Sequence, residues 1–105
     1  MTTKITVIFD NPDNPDNPDD FEAAYPELLD RARKIPGVLR IESAKVWPKE
    51  DGSPTPAYRV IDFYLPDYAA ASTAVTTAEA GEFFPLAFEL ATGGARAVFT
   101  ELEES

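Results

Sequence analysis

The chain has no cysteine and no histidine. Without cysteine there is no disulfide, no thiolate nucleophile and no thiolate metal site, which suits a cytoplasmic location. Without histidine the commonest general base and metal ligand is missing, and with it imidazole ligation of haem. No metal and no cofactor are expected. Basic residues are scarce: nine Lys and Arg stand against 19 Asp and Glu, a net charge of −10. Binding a nucleic-acid backbone needs clustered Lys and Arg, so neither nucleic acid nor an anionic membrane is an expected partner. No apolar run approaches the roughly 20 residues of a membrane span. Met1-Thr2-Thr3-Lys4 leads straight into a strand pattern and lacks a signal-peptide core. Glycine is sparse at five, and Gly93-Gly94 follows a helical segment rather than preceding one. That pair reads as a helix C-cap, not a phosphate loop.

One basic concentration remains. Arg31, Arg33, Lys34, Arg40, Lys45 and Lys49 are six of the nine basic residues. The first three fall at a predicted helix C-terminus, where they complement the helix dipole.

What is present fits a single small domain spanning 1–105. Hydrophobic residues make up 44% and charged residues 27% of 105 positions, an ordinary globular balance. A chain this short has a thin core, and association would help it. Lys4 to Phe9 alternates, with Ile5, Val7 and Phe9 on one face of a strand. Three Asn-Pro-Asp triplets follow, from Asn11 to Asp19. Each Pro pushes the preceding Asn out of the helical region, and each Asp favours a turn. Asp19 then caps a helix, with Glu22 placed as in a capping box. Phe21, Tyr25, Leu28, Leu29, Ala32 and Ile35 share one helical face. Pro26 interrupts it, so a turn over 20–24, a kink and a main helix from Pro26 to Lys34 are expected.

Val38 to Trp47 and Ala57 to Tyr64 read as strands joined by a long hairpin loop. Asp67 caps a second helix running to about Glu79, and Gly81 breaks it. A short apolar helical segment covers Phe83 to Leu90, and Ala95 to Leu102 is the last strand. The order β-α-β-β-α-β is the α+β, ferredoxin-like arrangement: a four-stranded antiparallel sheet with the helices on one face. Val38, Val46, Tyr58, Val60 and Tyr64 would then make the other face too apolar to leave in water. A second copy would cover it, as a homodimer.

Several pieces stand in a particular order. The first strand runs into Asn-Pro-Asp, then come Phe21, Tyr25 and Ala32-Arg33-Lys34-Ile35-Pro36-Gly37. The strand holding Tyr58 and Asp62-Phe63-Tyr64 follows, and finally Leu90-Ala91-Thr92-Gly93-Gly94. In this the chain resembles the EthD family of the dimeric α/β-barrel proteins, over nearly its whole length. The resemblance implies a ferredoxin-like protomer whose sheets pack face to face in a dimeric α/β barrel. It also implies a small hydrophobic, aromatic or polyketide-like ligand. Relatives are associated with ether and aromatic degradation, and similar barrels serve as polyketide cyclases, isomerases and cofactor-free monooxygenases. Two departures stand out. The family's usual first-helix histidine has no counterpart here, where Leu28 and Leu29 occupy the nearest positions. The family's single Asn-Pro-Asp turn is present three times.

Asp10, Asp13, Asp16, Asp19 and Asp20 surround the repeat. Calcium loops place oxygens at alternate positions around a Gly; a three-residue period with Pro does not, and the repeat reads as a stretched, solvated turn. Asp62 lies mid-strand between Val60 and Tyr64 on a half-buried face. Either it pairs with Arg40 across the sheet or the dimer seam, or it works with Tyr64 in proton transfer. Tyr25, Arg40, Trp47, Tyr58, Phe84 and Phe88 either line a ligand cavity or serve as packing. Two functions follow: a dimeric barrel binding a flat hydrophobic molecule, with cofactor-free chemistry if Asp62 and Tyr64 converge on it, or a non-catalytic binding and dimerisation module.

Overall fold

The alternation of Ile5, Val7 and Phe9 does become a central strand. The computed structural model describes residues 2–10, 19–47, 50–52, 57–91 and 94–103. In it, β1 (Thr3–Phe9) has its odd-numbered side chains buried and its even-numbered ones half-buried. The Asn-Pro-Asp repeat lies outside the described residues as far as Pro18, and its last residue, Asp19, is already the first residue of the first helix rather than the position before it. The order continues with α1 (Asp19–Ala32), β2 (Arg40–Lys45), β3 (Arg59–Leu65), α2 (Tyr68–Ala74), α3 (Ala78–Leu90) and β4 (Ala95–Glu101). The four strands form one antiparallel sheet in the order β2-β3-β1-β4. This is the ferredoxin-like α+β fold.

Three local expectations need correction. The first helix is not broken into a turn and a main segment: α1 runs unbroken through Pro26. Phe21, Tyr25, Leu28 and Ala32 are all buried on one stripe, and that burial outweighs the proline penalty. Pro26 sits on the exposed side, where the Glu22 carbonyl that loses its partner can be hydrated. The second helix ends at Ala74, not near Glu79, and Gly81 lies inside α3 rather than breaking a helix. Threonines place that break. Thr76 and Thr77 hydroxyls donate to the Thr73 and Ala74 carbonyls, and Thr77 Oγ1 accepts from the Ala80 amide at 3.2 Å, starting α3. The N-cap at Asp67 stands as expected, accepting from the Ala70 amide at 2.7 Å. At the last turn before β4, Gly94 adopts φ +102°, and its carbonyl accepts from the Asp10 amide at 3.0 Å.

The third correction concerns the sheet's two faces. β2 begins at Arg40, so Val38 lies outside it and packs on the helix side against Ile5, Ile35 and Phe63. Tyr58 precedes β3, and its ring also lies on the helix side, 5.4 Å from that of Phe21. The face without helices therefore keeps Val60 and Tyr64 but is mixed rather than uniformly apolar. The register lays three rows of side chains across it: Ala44-Val60-Ile8-Arg96, Glu42-Asp62-Thr6-Val98, and Arg40-Tyr64-Lys4-Thr100. One row is mostly apolar, one acidic and one basic.

The core lies between the sheet and the helices. Phe9, Leu28, Ile61, Phe63, Leu65 and Phe83 are its largest fully buried members. Phe63 and Phe83 meet edge to face with centroids 5.3 Å apart. α1 packs on α3, and α2 rests on β1 and β3. β4 stays exposed along most of its length.

Candidate functional site

At one end of the sheet the register sets Lys45, Arg59 and Phe9 side by side on the helix side, with Ser43 one row along. α1 crosses above them. Its helical spacing brings Phe21, Glu22 and Tyr25 down onto that corner. Phe9, Phe21 and Tyr25 form an aromatic floor: Phe9 meets Phe21 at 5.4 Å and Tyr25 at 6.5 Å, and Phe21 stacks on Tyr25 at 5.4 Å.

Polar groups are seated on this floor. The Arg59 guanidinium lies 4.3 Å from the centre of the Tyr25 ring, a cation–π contact. One of its terminal nitrogens donates to both Glu22 oxygens, at 3.1 and 2.9 Å. The Tyr58 hydroxyl donates to Glu22 Oε1 as well. The Tyr25 and Ser43 hydroxyls share a hydrogen bond of 2.6 Å. Lys45 Nζ stands 5.8 Å from the Tyr58 ring centre. The Arg59 and Glu22 side chains are 19% and 34% exposed, so the pair is reachable from solvent and contributes on the order of 1 kcal/mol. Arg59 Nε is buried and has no hydrogen-bond partner among the described residues, an arrangement that costs about 1–3 kcal/mol.

Charge states follow from the surroundings. Burial pushes the Glu22 carboxyl up, but the Tyr58 hydroxyl, the Arg59 guanidinium and the Lys45 ammonium outweigh it. The net result holds Glu22 below its ordinary value of 4.5. Burial pushes the Tyr25 phenol up from 10.0, opposed in part by the Ser43 hydrogen bond and Arg59. At neutral pH the corner therefore holds an ionised Glu22 and a protonated Tyr25. A lowered carboxyl pKa stabilises the fold above the unfolded-state value, and that contribution disappears as pH falls through 4.5 and then through the folded value. Glu22→Gln should therefore lower stability at neutral pH, by about 1 kcal/mol, and the difference should shrink toward zero below pH 4.5. Urea unfolding of both proteins across that range checks it; a constant gap would refute the assignment.

The sequence candidates do not form one site. Tyr25 and Tyr58 belong to this corner. Asp62, Tyr64 and Arg40 stand on the opposite face of the sheet. Asp62 is not paired with Arg40: it accepts from Thr6 Oγ1 at 2.6 Å and lies 3.9 Å from Lys4 Nζ. Arg40 is aligned with Tyr64, not Asp62; it stacks on the Tyr64 ring at 4.3 Å and reaches Glu42 at 3.5 Å. Phe84 lines a different spot, an apolar cavity of ≈ 10 Å³ with Ile5, Ile35, Val38, Phe63, Ala74 and Val75, room for one water at most. Trp47 and Phe88 are 86% and 51% exposed and line neither place. Arg31 and Arg33 pair locally with Glu27 and Asp30, as the helix-terminus reading of the basic patch implies.

Sequence reasoning missed Glu22, Ser43 and Arg59. Glu22 looked like a capping-box residue, yet its carboxylate turns to Tyr58 and Arg59. The available signal was parity: Ser43, Lys45 and Arg59 share a sheet face once the hairpin register is known. Among the described residues no group of three or more acidic side chains could hold a metal, and no helix is long and apolar enough to cross a membrane.

No protein-family model and no curated protein matches the chain. Solved structures do. An EthD family protein from Bacillus halodurans C-125 superposes with a TM-score of 0.84 at 19% identity, over 98% of this chain and 100% of that one. A dimeric ferredoxin-like protein of unknown function from Jannaschia sp. CCS1 gives 0.69 at 15% identity, over 97% and 100%. A cofactor-independent oxygenase from Streptomyces nogalater gives 0.58 at 14% identity, over 99% and 94%. What these likenesses establish is the architecture: from end to end, this chain has the ferredoxin-like fold of an EthD family protein.

Proposed function

We propose that the chain is a homodimeric α/β-barrel protein that binds a small flat molecule, aromatic or polyketide-like, at the Tyr25–Tyr58–Arg59 corner. The observation that carries this is the Glu22–Arg59 pair held with two tyrosines over the Phe9–Phe21 floor. A core built only for stability has little use for a half-buried ion pair, whose desolvation offsets much of its attraction. Aromatic faces with a few fixed polar groups are the usual make-up of a small-molecule site. The likeness to a cofactor-independent oxygenase supports a small-molecule ligand.

Homodimerisation uses the helix-free face. Its acidic row, Glu42 and Asp62, lies beside its basic row, Arg40 and Lys4. Adjacent rows of opposite sign are self-complementary when a two-fold axis lays one copy over another. The dimeric ferredoxin-like neighbours support the same reading. Asp62, Tyr64 and Arg40 thereby serve the seam, and Thr6 and Lys4 hold Asp62 in place there.

A second reading, a binding and assembly module without chemistry, draws on one observation. Glu22 and Tyr25 are shifted away from neutrality in opposite directions, so neither is matched to proton transfer at neutral pH. Flat phenolic compounds added at increasing concentration should raise the melting temperature of the wild type by mass action, by roughly 2.7 kcal/mol of added stability at a hundred times Kd. Tyr25→Phe should weaken that response. No rise with any flat compound would leave the assembly module standing alone.

A further inference from the structure

The two edges of the sheet are unlike each other. β2 carries Arg40, Glu42 and Lys45 among its six residues, and charge of that kind keeps an edge from pairing with another chain. β4 has no Lys and no Pro, and its pairing with β1 runs from Ala95 to Glu101 without a bulge. Among the described residues it has a neighbouring strand on one side only. Two bonds fix which groups face that neighbour: the Gly94 carbonyl accepts from the Asp10 amide, and the Leu102 amide donates to the Thr2 carbonyl. Even-numbered residues of β4 therefore turn their amides and carbonyls to β1, while Ala95, Ala97, Phe99 and Glu101 turn theirs outward. Val98 and Phe99 are 42% and 38% exposed on opposite faces of the strand, and the Phe99 ring lies 5.9 Å from that of the exposed Tyr68. An unguarded, partly apolar edge of this kind is a template for another strand.

We infer that the β4 edge is a second self-association surface, through which two homodimers join, β4 against β4. The inference rests on the homodimer packed through the helix-free face, and it adds the next level of assembly. The charged rows of that face choose the direction of its two-fold axis. Laying the acidic row over the partner's basic row requires an axis across the strands, between the Glu42-Asp62-Thr6-Val98 row and the Arg40-Tyr64-Lys4-Thr100 row. An axis along the strands would set each row over itself, like charge on like. With the axis across the strands, both β4 strands lie at the same edge of the dimer, about 10 Å apart. That axis passes β4 between Val98 and Thr100, at Phe99. A closed assembly needs its two-fold axes to meet, so Phe99, one of the outward-facing positions, pairs with the partner's Phe99. Glu101 then falls opposite the partner's Ala97, and no like charges are opposed. One edge contact is small, but a dimer offers two at once, and the second closes intramolecularly. Four chains thus hold together at concentrations where a single edge contact does not.

Sedimentation velocity of the wild type at micromolar concentration should show four chains. Ala97 is exposed, and Ala97→Pro removes an outward amide that β1 does not use. The protomer keeps its fold and the particle should fall to two chains, with the tetramer dissociation constant raised about a hundredfold or more. Phe99→Lys, an edge charge at the axis, should do the same and serves if the proline variant does not fold. Adding Lys4→Glu, Arg40→Glu to either should give single chains. A wild type of two chains that Ala97→Pro leaves intact and the charge reversal splits would overturn the edge contact and keep the homodimer reading. Two chains split by Ala97→Pro but not by the charge reversal would overturn the helix-free seam, and the four-chain assembly with it. A mass that grows with concentration past four chains would mean β4 meets β2 in an open array, overturning the closed β4 pairing. Four chains in both edge variants would overturn the assignment to β4, and a single chain in the wild type would overturn both surfaces.

Discussion

Phe9→Ala is expected to lower the free energy of unfolding by about 3–5 kcal/mol, the range for deleting a buried phenyl ring. Phe9 has no exposed surface, sits at the end of a central strand, and touches the rings of Phe21 and Tyr25. The cavity left behind is bounded by β1, β3 and α1, which are hydrogen-bonded or helical and cannot collapse onto it. In a domain of this size each kcal/mol shifts the melting point by roughly 4 °C or more, so the midpoint should fall by more than about 12 °C. Urea titration with an unchanged slope would confirm that the native state is what changed. Phe9→Leu, nearly conserving volume, should lose less than about 1.5 kcal/mol. It keeps the test usable if the alanine variant does not fold. A loss below about 1 kcal/mol for Phe9→Ala would mean the aromatic floor is not packed as described.

The double variant Lys4→Glu, Arg40→Glu should abolish self-association at micromolar concentration. These two supply the basic row of the helix-free face, next to Glu42 and Asp62. Reversing both makes the two rows acidic and takes the net charge from −10 to −14. Like charges brought face to face oppose association strongly, and the dimer dissociation constant should rise by more than about a hundredfold. Arg40 is exposed on an edge strand and Lys4 is half-buried, so the protomer should keep its fold, which near-ultraviolet circular dichroism would verify. Sedimentation velocity reads the outcome. Mixing this variant with Glu42→Lys, Asp62→Lys should restore a dimer in which basic rows again face acidic ones. A double variant that remains dimeric would place the seam on another surface. The exposed Phe99, on the other face of β4, would then be the place to look.

A carboxylate in mid-strand invites a catalytic reading when only the sequence is in view. Asp62 shows how a register settles such a case. In the pairing, Arg40 is aligned with Tyr64, while Thr6 is aligned with Asp62. Thr6, the side chain the register sets beside Asp62, and not Arg40 on the neighbouring strand, became the partner at 2.6 Å. Glu22 is the converse. Its place three residues after Asp19 fits a local capping role, but the tertiary fold offers it Arg59 and Tyr58, with charge and a half-buried hydroxyl, and those interactions prevail.

The sequence alone determined the order of elements, the buried faces of β1 and β3, the helical stripe from Phe21 to Ala32 and the cap at Asp67. Each rests on short-range chemistry: two-residue or 3.6-residue periodicity, and a side chain bonding a nearby amide. Only the tertiary structure decided that α1 continues through Pro26, that α3 absorbs Gly81, and which side chains cross the sheet to meet. Those outcomes depend on burial against distant segments, which can outweigh a local penalty of about 3 kcal/mol. They also depend on strand register, where a shift of one residue exchanges the two faces of a strand. The corner formed by Glu22, Tyr25, Ser43, Tyr58 and Arg59 is a product of that register, and no periodicity within any single segment contains it.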